Sequence, residues 1–217
     1  METKKVLRQR RSMKVYDPNR AVTEEQLAEL FELTTLAPSA WNFQHYKFIV
    51  VRDPEQKQRL RQAAMGQEKV EQAACTIVVC GDLAAWKRAE DVAREFARKG
   101  FYGESTEEKI AKQAEMMRNA YKNNPTKARE EAIRSASLAA MSLMVAAEDM
   151  GLATCPMIGF DPNAVAEVTE LDDTLFPAML ITLGYAGDFD LPRCDRLPLS
   201  EVVNIDRLGV PFGANQT

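Results

Sequence analysis

The densest chemistry in the sequence is cationic. Arg8, Arg10, Arg11 and Lys14 crowd together near the start with Ser12 among them. Guanidinium groups take phosphate oxygens in pairs, so the cluster fits a phosphate grip; it fits a solvated basic stretch as well. A second group of polar atoms stands in Leu36, Ala37, Pro38, Ser39, Ala40, Trp41, Asn42, Phe43 and Gln44. Pro38 stiffens that loop, and the small Ser39 and Ala40 let another molecule come close. Ser39, Asn42 and Gln44 offer hydrogen bonds, and Trp41 offers a broad apolar face with one donor. Such a loop suits a flat heteroaromatic ligand. It also suits a structural elbow with Trp41 in the core.

Other chemistry is scarce. His45 is the one histidine, which nearly closes off the common catalytic zinc sites, a metalloprotease helix and any histidine-dependent triad. The four cysteines, at 75, 80, 155 and 194, show neither a metal-binding spacing nor histidine partners. Cys75 and Cys80 read as small buried hydrophobes of a reducing cytoplasm. Chemistry on this chain therefore points to a borrowed cofactor.

The elements that must position these residues follow from pattern. The first ten residues read as a short amphipathic helix with Val6 and Leu7 inward, followed by a strand-like Lys14 to Tyr16. Thr23 and Gln26 form a capping box for a helix carrying Leu27, Leu30, Phe31 and Thr34. A β-rich run spans Lys47 to Arg52, and Asp53 with Pro54 opens a helix that Gly66 and Gln67 end. Cys75 to Cys80 reads as a strand buried on both faces. Residues 84–121 form a looser helical excursion bearing Trp86, Phe96, Phe101, Tyr102 and Tyr121, suited equally to a lid and to plain packing.

The longest helix pattern runs from Lys127 to Met150, with Ala132, Ala136, Ala139, Ala140, Leu143 and Ala147 on one side. Those small residues admit a second helix and make the side a candidate subunit contact. Gly151 closes the helix. Thr154 to Phe160 follows, and Asp161 with Pro162 caps the next helix, so amides near Gly159 can face a ligand. Ala178 to Tyr185 is the last buried strand. A tail over 186–217 carries Arg193 and Arg196 near its start and has the length to pack on a partner subunit.

The chain has 217 residues, 46% of them apolar and 28% charged, with a formal charge of -4. This predicts one globular domain over 1–217, without the net basic face of a nucleic-acid binder. Met1 to Lys5 leads into no apolar signal segment, and Leu138 to Ala147 falls short of the roughly 18 residues of a membrane span. The expectation is a cytoplasmic protein. Strands interleaved with helices on both faces give an α+β sandwich.

Arg10, Arg11 and Ser12, the Pro38 to Gln44 loop, Gly151 to Gly159 and the late basic pair occur in the order found in the nitroreductase family of FMN-dependent NAD(P)H oxidoreductases, which this chain resembles over nearly its whole length. The runs Glu131 to Leu138 and Thr154 to Asp161 carry a likeness to the branch linked to quinone and hydroquinone stress. The resemblance implies an α-β-α sandwich with a mostly antiparallel central sheet, in a domain-swapped homodimer with FMN at the subunit interface. It implies that Arg10, Arg11 and Ser12 hold the FMN phosphate with Arg193 and Arg196, and that Lys14 lies near the pyrimidine edge. Pro38, Ser39, Ala40 and Asn42 would come from the other subunit. Pro156, Met157, Ile158 and Gly159 would run beside the flavin with the Ile158 and Gly159 amides near N5, and Gln67 would add a ring contact.

The implied activity is ping-pong reduction of quinones or nitroaromatic compounds by NAD(P)H, with no side chain required as acid or base. Trp41, Phe96, Phe101 and Tyr102 would wall the pocket for small aromatic acceptors. Specialised flavin chemistry, such as dehalogenation or flavin breakdown, and a non-catalytic flavin-binding redox module are the other readings. His45 and Tyr46 stand where many relatives have proline and tryptophan. Lys14 replaces a frequent arginine, and Ile158 a residue that is acidic in some.

Overall fold

A computed structural model describes residues 2–101, 103–188 and 192–213. Four strands build the sheet: β1 (Tyr46–Val51), β2 (Cys75–Asp82), β3 (Ala153–Met157) and β4 (Leu175–Gly184), in the order β1-β2-β4-β3 and antiparallel throughout. Alternate residues of the central strands enter two different cores, as the pleat requires. Ile77, Val79, Ile181 and Leu183 face α2 (Glu24–Thr34) and α7 (Pro125–Asp149). Val78, Cys80 and Leu180 face α3 (Pro54–Ala63), α4 (Lys69–Gln72) and α8 (Pro162–Val168). With helices on both faces, this is the α-β-α sandwich, and it explains why Cys75 to Cys80 is apolar without alternation.

Helix boundaries follow their local signals. Thr23 Oγ1 accepts from Gln26 N while Gln26 Oε1 accepts from Thr23 N, completing the capping box. Asp53 and Asp161 cap α3 and α8, each followed by proline at the first helical position. Asn124 does the same for α7 and starts that helix at Pro125, two residues before the alanine pattern becomes visible. Gly151 takes the left-handed conformation that ends it.

Three expectations change. Only Val6 of α1 (Thr3–Gln9) is buried, and Leu7 is exposed, because the next residue along a helix lies about 100° further round and here faces solvent. Residues 14–16 form no strand; Ser12 bridges to Thr154 and Tyr16 to Ala186, so the segment rides along the sheet through single pairings. The Tyr16 hydroxyl anchors it, 2.7 Å from Thr182 Oγ1. The alanine side of α7 packs inward on α2 and the chain's own sheet, where small side chains bring the helix close. Ile133, Leu138 and Met141 of the same helix are exposed instead.

The excursion forms α5 (Ala89–Arg98) and α6 (Glu107–Lys122), which enclose a smaller core of Ala89, Val92, Ala93, Ala114, Met117 and Tyr121, joined by Phe43. His45 sits where this core meets β1, 2% exposed, with ring centroids 5.4 Å from both Phe43 and Tyr121. Its Nδ1 lies 3.4 Å from Ser135 Oγ, and its Nε2 has no hydrogen-bond partner among the described residues. Burial pushes the imidazole down to about 4, against the opposing charge of Glu131. The tail adds the short α9 (Leu199–Val202) and a bridge between Asn204 and Pro211.

Two outcomes follow from this packing. Ala139→Leu overfills the space between α7 and the sheet and costs about 1 to 3 kcal/mol, read as a lower urea midpoint. Because the unfolded chain takes up a proton near the ordinary histidine pKa that the folded chain refuses, the stability from neutral His45 is complete above about pH 6.5 and declines toward about pH 4. The loss over that window is ~3 kcal/mol. Urea midpoints across it should flatten in His45→Phe by that amount.

Candidate functional site

The cationic residues are brought together by both ends of the described chain. Arg10 is the C-cap of α1, its N–H returning to Val6 O. The backbone then runs along β3, with Met13 N donating to Thr154 O at 2.9 Å. This places Arg10, Arg11, Ser12 and Lys14 in one row. The tail crosses the same place: Arg193 Nη2 donates to Arg8 O at 2.8 Å and Arg10 O at 2.5 Å. A hollow of about 240 Å³ results, lined by Arg10, Arg11, Ser12, Lys14, Arg193 and Arg196 together with Pro192 and Cys194.

Arg10 Nη1 is buried and has no hydrogen-bond partner among the described residues. A buried cationic donor left in that state is costly unless an anion meets it. Glu148, near the end of α7, is the nearby acid whose carboxyl responds to Arg10 and Arg193. Burial raises its pKa more than the two guanidinium groups lower it. The donor set of the hollow therefore fits a phosphate monoester.

A second group continues along β3. Pro156 and Met157 end the strand, and Ile158, exposed, and Gly159 begin the turn toward α8. Asp161 N donates to Ala63 O and fixes the far side of that turn. Gln67 Nε2 donates to Gly159 O at 2.8 Å, and Lys69 Nζ holds Gln67 Oε1 at 2.6 Å. Lys69, which sequence reasoning passed over, joins Lys14 and Arg10 around Cys155, whose thiol burial pushes upward against their three charges. Its one signal is its place two residues after Gln67.

The Pro38 loop lies elsewhere. None of Pro38, Ser39, Ala40 and Asn42 lines the cationic hollow. Trp41, Asn42 and Gln44 hold left-handed φ values of 49°, 55° and 52°, uncommon for residues with a Cβ. The loop is kept so by Ser39 Oγ, which accepts from Gln44 N at 2.9 Å, and by Arg88 Nη1, which donates to Phe43 O at 3.2 Å. Trp41 is half-buried and packs edge-on against Phe43 and Tyr121, at 5.8 and 5.7 Å between centroids. Phe96 and Phe101 stack at 5.1 Å in the excursion, with Phe101 largely exposed. Tyr102 lies outside the described residues. Within one chain, then, the arginine row and the β3 turn adjoin, while the loop and the excursion aromatics form a separate group.

Comparison with known proteins identifies the family. A sequence model described as "Nitroreductase family" matches residues 7–185. The Bacillus subtilis (strain 168) protein named "Putative NAD(P)H nitroreductase MhqN" is 37% identical over 200 residues, covering 91% of this chain and 96% of that protein. The crystal structure of the "putative nitroreductase ydfN" from Bacillus subtilis has a TM-score of 0.88 at 36% identity, over 94% of this chain and 98% of that one. A "putative nitroreductase in complex with FMN" from Exiguobacterium sibiricum 255-15 has a TM-score of 0.83 at 27% identity, over 94% of this chain and 97% of that one. A match of this extent in sequence and in fold places the chain in the nitroreductase family, a family of oxidoreductases.

Proposed function

We propose that the chain is an FMN-dependent NAD(P)H oxidoreductase that reduces quinones or nitroaromatic compounds as a homodimer. The observation that carries this reading is the hollow where Arg10, Arg11, Lys14, Arg193 and Arg196 meet around a buried, unpartnered Arg10 Nη1. A phosphate monoester brings about two negative charges and three acceptor oxygens. Five cationic side chains lining one hollow stand out on a chain whose formal charge is -4. The FMN complex of the Exiguobacterium sibiricum relative adds weight to the choice of anion.

When bound, FMN would supply the redox chemistry that links NAD(P)H to an electron-poor aromatic. The side chains of this protein bind and orient. Arg10, Arg11 and Arg196 neutralise the phosphate, and the Ser12 hydroxyl donates a hydrogen bond to it. Lys14 and Lys69 bring positive charge to the edge of β3, where it favours an electron-rich ring. Gln67 and the Asp161 amide hold the Pro156 to Gly159 segment in place beside it. Pro38, Ser39, Ala40 and Asn42 serve the site of a second copy, in keeping with their absence from the lining of the hollow in their own chain. Trp41, Phe96, Phe101 and Tyr102 supply apolar faces for flat acceptors.

The purified protein should be yellow, bleach anaerobically with NADH or NADPH, and regain its colour on addition of menadione or a nitrofuran. Protein that takes up no FMN refutes the reading, and colour that NAD(P)H leaves unchanged refutes the enzyme. Arg10→Ala combined with Arg196→Ala removes two charged contacts of about 2 kcal/mol each. FMN affinity should fall roughly a thousandfold, measured by flavin fluorescence on titration.

A further inference from the structure

Arg10 and Arg193 line the same hollow, yet their surroundings differ. Arg193 Nη2 is already engaged by two carbonyls, Arg8 O and Arg10 O. Both carbonyls lie at the C-terminal end of α1, where no further helical turn supplies N–H partners. A guanidinium there satisfies the carbonyls and complements the negative end of the helix. Arg10 is in the opposite condition. Its carbonyl is held by Arg193 while its own Nη1 is buried without a partner among the described residues.

We infer that Arg193 is a positioning residue, a clasp that assembles the phosphate hollow before any ligand arrives, and that Arg10 is the anion receptor it holds in place. The inference rests on the reading of the hollow as a phosphate site and assigns separate work to two of its arginines. Arg193 fixes the Arg10 backbone, and with it the origin of the Arg10 side chain. It also draws Cys194 and Arg196 to the mouth of the hollow, since they follow it directly in the tail. The bonds of the clasp are made in the protein alone, so their contribution is present without ligand. The unpartnered nitrogen of Arg10 is a burden until phosphate meets it, as binding groups often are.

The test measures the melting temperature of the flavin-free protein and the dissociation constants for FMN and riboflavin, in the native protein and in Arg193→Gln, Arg193→Lys and Arg10→Met. Arg193→Gln should lower the flavin-free melting temperature by about 3 °C or more, and Arg193→Lys, whose ammonium has three donors, should recover most of it. Arg10→Met should not lower it. Arg193→Gln and Arg10→Met should each weaken FMN at least tenfold and leave riboflavin, which lacks the phosphate, unchanged. If Arg193→Gln loses FMN at an unaltered flavin-free melting temperature, Arg193 is itself a phosphate ligand and the clasp is wrong. Parallel loss of FMN and riboflavin in Arg193→Gln shows a general loosening and also overturns it. Native protein that binds FMN no better than riboflavin removes the phosphate reading, while the flavin-free melting temperatures still decide the clasp.

Discussion

Like charges held close together are the constraint on which the structure depends. Five cationic side chains share one hollow of about 240 Å³ in a chain whose formal charge is -4. Left to solvent, such groups separate, because their mutual repulsion is relieved at little cost. Here the helix end at Arg10, the Met13 to Thr154 pairing along β3 and the Arg193 contacts to two carbonyls remove that freedom. The sandwich beneath supplies the rigidity. Its sheet is covered on both faces, and the close seating of α7 on β2 keeps the β3 edge where the arginine row needs it.

What was legible in the sequence was local. Thr23 with Gln26, Asp53 with Pro54 and Asp161 with Pro162 each mark a helix start through bonds that span three residues or fewer, and each cap forms. The apolar run of Cys75 to Cys80 identified a strand covered on both sides without naming its neighbours. Long-range relations were less accessible. The small-residue side of α7 announces that something comes close, but alanine spacing does not say whether that is the chain's own sheet or another copy, and here it is the sheet. Residues 14–16 have strand-forming side chains and still make only isolated bridges, since pairing depends on an edge supplied by distant residues.

The site divides in the same way. The family resemblance brought Arg10, Arg11, Ser12, Lys14, Arg193 and Arg196 into one group, and the structure has them lining one hollow. Composition alone had no means of joining residues so far apart. Lys69 was missed because its relevance comes through Gln67, whose side chain reaches Gly159 across 92 positions. The Pro38 loop reads as unusual in both views: its residue types depart from an ordinary turn, and its backbone keeps three side-chain-bearing residues in left-handed conformations. It lies between the core of the sheet and that of the excursion, and Arg88 and Ser39 hold it from either side. Strain of that kind persists only where surrounding contacts over-determine the backbone.

The contacts of Arg193 with Arg8 and Arg10 span 185 and 183 positions. During synthesis the N-terminal arginines leave the ribosome first and wait for nearly the entire polypeptide before their partner emerges. At about 5 to 20 residues per second, that interval is on the order of ten seconds or more. The sandwich can condense from shorter-range pairings in the meantime. The cationic hollow thus forms late, and a nascent chain halted before residue 193 carries a nearly finished scaffold whose hollow still lacks Arg193 and Arg196.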